Sequence, residues 1–312
     1  MIFDAILHKA PTSPGHLNPA VPPKLALGGQ ERKLIDVASP VWAVGVIFFP
    51  ALAWSPDGQW LAYAEKSPGN DAHSIVRLSL ETLEKQALTS PSEGGGDTYP
   101  AISPDGRQLA FVREDPSRGR DDDLYVIDLE GGVPRQLTHE PSQEVSGNRS
   151  RDGQRIYFGS DRSGRFEIWK MSVEGGPAEQ ITREGGVNPV ESWDGRYLYY
   201  SKAVSAQGSA IWGVPVGGGE ESEIVAEPVT LADWALSRDG ISFMKRREVV
   251  RRRREEFSIR FFDFETREVT EIRRDEGPFS RWMLEVSPDE AWILYGQMPA
   301  WESELMLMEN FR

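Results

Sequence analysis

Residues 103–128 read SPDGRQLAFVREDPSRGRDDDLYVID. The opening Ser-Pro-Asp-Gly is a β-turn signal. Proline presets φ at the second position, aspartate can bond its own backbone, and glycine tolerates a strained exit. Two short runs follow, QLAFVRE and DLYVIDLE, in which β-branched and aromatic residues alternate with polar ones. That pattern predicts two antiparallel strands leaving the turn.

The unit recurs along the chain. Related tetrapeptides stand at Ser55–Gly58 (SPDG), Ser150–Gly153 (SRDG), Ser192–Gly195 (SWDG), Ser237–Gly240 (SRDG) and Ser287–Glu290 (SPDE). Their aspartates, Asp57, Asp105, Asp152, Asp194, Asp239 and Asp289, are 48, 47, 42, 45 and 50 residues apart. Each turn precedes two strand-like runs, such as RIYFGSD and EIWKMSVE, and most units close on a short segment such as PRQLT (Pro134–Thr138) or AEQIT (Ala178–Thr182). Each repeat therefore reads as a four-stranded antiparallel meander. One such sheet cannot bury both of its faces, and stacking the sheets in a ring does so. The expected fold is all-β: a six-bladed β-propeller of four-stranded antiparallel blades, closed by an N-terminal strand. The closing strand is Arg32–Ala38 (RKLIDVA), because the last repeat ends at Arg312 without an outer strand of its own. The domain reading is a leader over residues 1–31 and a propeller over 32–312. Turns that lack the proline or the glycine, at Arg151, Trp193, Arg238 and Glu290, are expected to be looser.

These repeats resemble the TolB-like, WD-type β-propeller family, whose hallmark is a Ser-Pro-Asp-Gly turn between the inner strands of each blade. The resemblance covers residues 32–312. The ending ELMLMENFR is similar to the last blade of propellers at the C-terminus of bacterial sensor proteins, which implies a sensor or protein-binding role. Ile2–Leu25 (IFDAILHKAPTSPGHLNPAVPPKL) resembles a fragment of the C-terminal lobe of bacterial serine/threonine kinases. It implies a short helix with Ile2, Phe3, Ile6 and Leu7 on one side, followed by a Pro-rich loop. The chain has no Gly-rich loop, HRD or DFG that could carry phosphoryl transfer.

Of the 312 residues, 39% are hydrophobic and 27% charged, enough for a substantial core. A formal net charge of -14 weighs against a general nucleic-acid binder. With no cysteine, thiolate catalysis and disulfides are excluded, and the four histidines lack metal-ligand spacing. The longest apolar stretch, Val41–Trp54, is shorter than a membrane helix and contains Pro50, so it reads as buried strands. Met1–Ala10 lacks the basic and apolar regions of a secretion signal. The expectation is a cytoplasmic monomer, with a periplasmic setting, as for TolB-like relatives, the alternative.

No Gly-x-Ser-x-Gly, HExxH or calcium-loop pattern occurs, so no catalytic residue, metal ligand or cofactor is assigned. Asp121, Asp122 and Asp123 read as a solvated loop, and the six turn aspartates as caps of their own turns. Candidate binding residues are those placed where the inner strands begin: Asp97, Tyr99, Asn188, Asp233 and Arg281. To them is added Arg251, Arg252, Arg253 and Arg254, within the insertion Lys245–Glu256 (KRREVVRRRREE) between the second and third strands of repeat five. Four consecutive guanidinium groups suit an acidic protein or peptide partner. The expected function is a non-enzymatic propeller scaffold or sensor domain that binds a protein, peptide or small ligand at the channel mouth. A lactonase- or lyase-like propeller enzyme with a metal at the central channel is the alternative.

Overall fold

The computed structural model describes residues 2–6, 32–38, 52–66, 72–115, 117, 119, 121–202, 208–229, 233–249, 254–277, 279–299 and 304–309. Among these, all the extended regular elements are β-strands. They fall into two compact bodies.

The larger body, Trp42–Leu231, holds repeats one to four. Repeat one comprises β3 (Leu52–Trp54), β4 (Trp60–Lys66), β5 (His73–Ser79) and β6 (Lys85–Ala87). Repeat two comprises β7 (Gly96–Ile102), β8 (Gln108–Glu114), β9 (Asp122–Asp128) and β10 (Arg135–Gln136). Repeat three comprises β11 (Glu144–Arg149), β12 (Arg155–Ser160), β13 (Glu167–Ser172) and β14 (Glu179–Gln180). Repeat four comprises β15 (Val187–Glu191), β16 (Tyr197–Ser201), β17 (Ser209–Pro215) and β18 (Ser222–Val229). Within each repeat, successive strands pair antiparallel, and a parallel bridge between His73 and Gly96 links the first two sheets.

Alternation along the second strands explains why both faces must be apolar. Leu109 and Phe111 of β8 pack toward repeat one, while Ala110 and Val112 pack toward repeat three. Ile156 and Phe158 of β12 face repeat two, and Tyr157 faces repeat four. Each such large side chain contributes roughly 1.5–3 kcal/mol by leaving water.

The turns are built alike. Ser103 Oγ donates to Asp105 Oδ1 (2.5 Å), which also accepts from Arg107 N (3.1 Å), while Ser103 Oγ accepts from Gln108 N (2.9 Å). The same three bonds recur at Ser55, Ser150, Ser192 and Ser287. Two expectations are corrected here. The turns without proline are not looser, since the repeat-three turn keeps the Ser150–Asp152 bond at 2.5 Å. The self-capping scheme holds for five of the six turns. In repeat five, Ser237 N bonds Gly240 O directly and Ser237 Oγ is buried without a partner, so that turn is shorter and lacks the Ser–Asp bond.

The smaller body comprises Met1–Val41 and Ala232–Arg312. Repeat five gives β19 (Trp234–Leu236), β20 (Gly240–Val249), β21 (Arg254–Asp263) and β22 (Val269–Gly277). Repeat six gives β23 (Phe279–Val286), β24 (Trp292–Pro299) and β25 (Glu304–Glu309). Against β25 lies β2 (Arg32–Ala38), with Arg32 opposite Leu307 and Lys33 opposite Met306, so strands from both ends of the chain share one sheet. Ile2–Ile6, expected as one side of a short helix, is instead strand β1, pairing with β2 and β24. A five-residue helix lacks the length to stand alone, whereas a sheet edge supplies hydrogen-bond partners at once. Residues 2–6 therefore share one sheet with β2 and the strands of repeat six. Residues 7–31, including the Pro-rich loop of the kinase resemblance, lie outside the described residues.

Candidate functional site

The inner strands share an irregularity near their starts. The ladder slips between Thr98 and Ala101 in β7, Val145 and Asn148 in β11, Val187 and Val190 in β15, and Trp282 and Leu284 in β23. At each slip one non-glycine residue is left-handed: Tyr99 (φ 50°), Ser146 (53°), Asn188 (55°) and Met283 (55°). Such bulges re-aim the side chains around them, and the strain is tolerated because a packed frame holds it.

Two residues before the left-handed position, β7 carries Asp97 and β11 carries Glu144, both fully buried. Arg113 grips Asp97 with two bonds, Nε to Oδ1 at 2.7 Å and Nη2 to Oδ2 at 2.8 Å. The same guanidinium lies over Phe111 and Tyr125, 5.2 and 5.1 Å from their centroids. Glu144 accepts from Ser142 Oγ (2.9 Å), Ser160 Oγ (2.8 Å) and Arg162 Nη2 (2.9 Å), and Arg162 covers Phe158 and Trp169. Burial nevertheless pushes the Glu144 carboxyl above its ordinary range. In repeat four, Lys202 Nζ stands 3.8 Å from the Trp212 centroid and donates to Glu184 and Glu221. Three consecutive repeats thus end their second strand with a cation laid on an aromatic ring and tied to carboxylates.

The third strands are pinned by a buried threonine from the closing segment. Thr138 Oγ1 accepts from Leu124 N, and Thr182 Oγ1 from Ile168 N, as Thr89 does from Ile75 N. Thr182 also donates to Glu167 Oε2 at 2.7 Å, and Thr138 to Asp123 Oδ1 at 3.0 Å. Asp122 and Asp123, expected in a solvated loop, are therefore buried residues of β9, because Gln136, Thr138 and Gln143 supply donors to them. Across the ladder Asp122 faces Glu114. Burial first, then each other's charge for Asp122 and that of Asp97 for Glu114, push these carboxyls up to about 7 and about 6.

Of the sequence candidates, Asp97 and Tyr99 share β7, and Asn188 lies on β15 two repeats on. Burial raises the Tyr99 hydroxyl's pKa, with Asp122 and Glu114 adding to it. In the smaller body, the buried Asp233 accepts from Met283 N (3.1 Å), two residues beyond Arg281, whose backbone pairs with Gln297. The described part of the basic insertion is strand: β20 and β21 pair Arg247 with Glu256 and Val249 with Arg254, and β22 continues beside them. Arg251, Arg252 and Arg253 lie outside the described residues, and Arg254 begins β21. Sequence reasoning missed the Arg113, Arg162 and Lys202 series. Its signal was present, a cation two or four residues after the buried aromatic of each second strand.

The family profile described as TolB beta propeller domain matches residues 45–212, more than half of the chain. The chain belongs to the TolB β-propeller family. Among curated proteins, Atu1656 of Agrobacterium fabrum, itself described as uncharacterized, is 32% identical over 129 residues, 41% of this chain and 41% of its own length. The Tol-Pal system protein TolB of Wolinella succinogenes is 30% identical over 137 residues, 43% of this chain and 31% of its own. The match thus spans well under half of either relative. Among solved structures, a putative TolB from Agrobacterium tumefaciens superposes with a TM-score of 0.60 at 21% identity, covering 89% of this chain and 93% of its own. In the larger body of this TolB-type propeller the bulge recurs in repeats two, three and four, with a buried carboxylate beside it in the first two and a ring-stacked cation in all three. No helix of the described residues is long and apolar enough to cross a membrane.

Proposed function

We propose that this TolB-type chain is a non-enzymatic scaffold that docks an acidic protein or peptide segment, with the long strands of repeat five as its docking element. One observation carries the reading. β20 and β21 are ten residues each, whereas the second and third strands of repeats one to four are five to seven. The extra length puts residues 245–249 and 254–256 of the insertion on paired strands, on either side of the run of four arginines, Arg251–Arg254, in the sequence. Arginine forks suit carboxylates, and ordered flanking strands lower the entropy lost on docking.

The carboxylates of the larger body support a framework role. Asp97, Glu144 and Glu167 are each held by two or more internal donors. A group so committed positions its neighbours rather than exchanging protons with a substrate. The test is fluorescence anisotropy with a labelled oligoglutamate peptide. Binding should weaken as salt rises, and replacing Arg251–Arg254 with Ser should reduce it while the fold is kept. Equal binding by the Ser variant, or binding indifferent to salt, would remove the arginine run from the function.

A further inference from the structure

The residue just before each turn serine reveals an exception. In four repeats it is apolar: Trp54, Ile102, Leu236 and Val286. In the other two it is charged, Arg149 and Glu191. Both reach back to the preceding repeat. Glu191 finds donors there, the backbone N–H of Arg151 and the hydroxyl of Tyr157. Arg149 finds only neutral acceptors, Gln108 Oε1 at 3.1 Å, together with Gly153 O of its own turn at 2.9 Å, and both bonds come from Nη2. Its Nε and Nη1 are buried without an acceptor, and the residue is 7% exposed. Burial pushes its pKa down, against the pull of Asp105 and Glu174, neither of which bonds it. An unpaired guanidinium held at a position that elsewhere takes Ile, Leu or Val destabilises the fold unless an anion reaches it.

Arg149 lines a cavity of about 680 Å³ between the turns of repeats two and three. Arg107 and Arg155 stand in the same wall, as do Asp105, Asp128, Asp152 and Glu174. Asp105 and Asp152 each commit one oxygen to their own turn, and Asp128 accepts from Gln108. A wall of mixed sign disfavours a compact polyanion and favours a molecule with an anionic end and donor groups elsewhere. We propose that this cavity binds a small organic carboxylate bearing hydroxyl or ammonium donors. Its carboxylate neutralises Arg149, and its donors meet the wall aspartates. The site is built from residues of the larger body alone, and the proposal does not depend on the repeat-five reading.

The test is calorimetric titration of the full chain with D-gluconate, L-glutamate and inorganic phosphate, beside thermal melts. At least one organic acid should bind with a Kd of about 10 mM or below, and phosphate at least about tenfold more weakly. Arg149→Leu, which places at this position the residue that repeat five has there, should melt no lower than the wild type and lose binding by about tenfold or more. Arg149→Lys keeps the charge but not the planar fork. Should the Leu variant not fold, the Lys variant must still weaken binding, by about fivefold. Three outcomes overturn the proposal: no organic acid binds the wild type in that range, phosphate binds as well as both, or the Arg149 variant that folds binds as tightly as the wild type.

Discussion

The backbone N–H of Arg151 donates to the carboxylate of Glu191, joining the turn of repeat three to the inner strand of repeat four. The guanidinium of Arg151 adds a bond to Glu191 O at 3.1 Å and lies 4.0 Å from the Trp193 centroid. A proline at the same turn position has no N–H to give. Repeat two shows the alternative, in which the ring of Pro104 packs where a side chain on Gly153 would stand.

Arg151→Pro restores the ideal tetrapeptide and should still destabilise the chain. It strands the buried Glu191, which keeps only Tyr157 among its side-chain donors here, at a cost of about 1–3 kcal/mol. A urea midpoint equal to or above that of the wild type would show that the link contributes nothing.

Asp97→Asn should destabilise by about 3–5 kcal/mol, because it leaves the Arg113 guanidinium half-buried against two rings without its counter-charge. Arg113→Met alone should cost a similar amount. The double variant should cost clearly less than the sum, as double-mutant analysis of thermal or urea unfolding would reveal.

Glu114 and Asp122 give a pH dependence of definite sign. Their folded pKa values, about 6 and about 7, lie above the ordinary carboxylate range, so the folded chain holds protons that the unfolded chain has released. Their contribution is most favourable below about pH 4 and is lost as pH rises through 6 and 7. Asp194, held at about 2 chiefly by Ser192 and then by Arg196, acts oppositely and only below about pH 4. Unfolding titrations should show the Glu114→Gln/Asp122→Asn double variant gaining on the wild type between pH 5 and 7.5, a window set by those two values. Parallel curves would exclude the pair as the source.

Thr182→Val keeps the shape and removes both bonds of the hydroxyl, leaving Ile168 N–H buried and Glu167 short of a donor. The expected loss is about 1–3 kcal/mol, with faster hydrogen exchange at Ile168. Thr182→Ser should recover most of it.

Removal of residues 1–31 deletes β1 and should lower the melting temperature, since β1 pairs with both β2 and β24. Removal of residues 1–38 deletes β2 as well, exposes the edge of β25, and should lower it further and promote aggregation. Identical melts for both truncations and the full chain would separate these strands from the stability of the fold.

The meanders were legible because Ser-Pro-Asp-Gly fixes a turn locally and alternation fixes the strands beside it. What escaped the reading depends on partners distant in sequence. Tyr99, Ser146, Asn188 and Met283 adopt left-handed geometry without glycine, so nothing local announces the bulges. Asp122 and Asp123 look solvated until the donors from β10 and the next repeat are placed beside them. Arg113 meets Tyr125 only after two strands have paired. The short turn at Ser237–Gly240 is hidden because its letters match those of Ser150–Gly153, while its strands pair two residues closer to the serine.

Because Arg32 pairs with Leu307, the sheet they share cannot form until every repeat between them has been synthesised. Throughout synthesis the first strands wait with an open edge while every intervening repeat is made. Closing a loop of nearly the whole chain length carries a high entropic barrier, so this pairing should set the slow phase of folding. The emerging chain is most prone to joining a second nascent copy during that interval, edge to edge, by the same ladder that later unites its own ends.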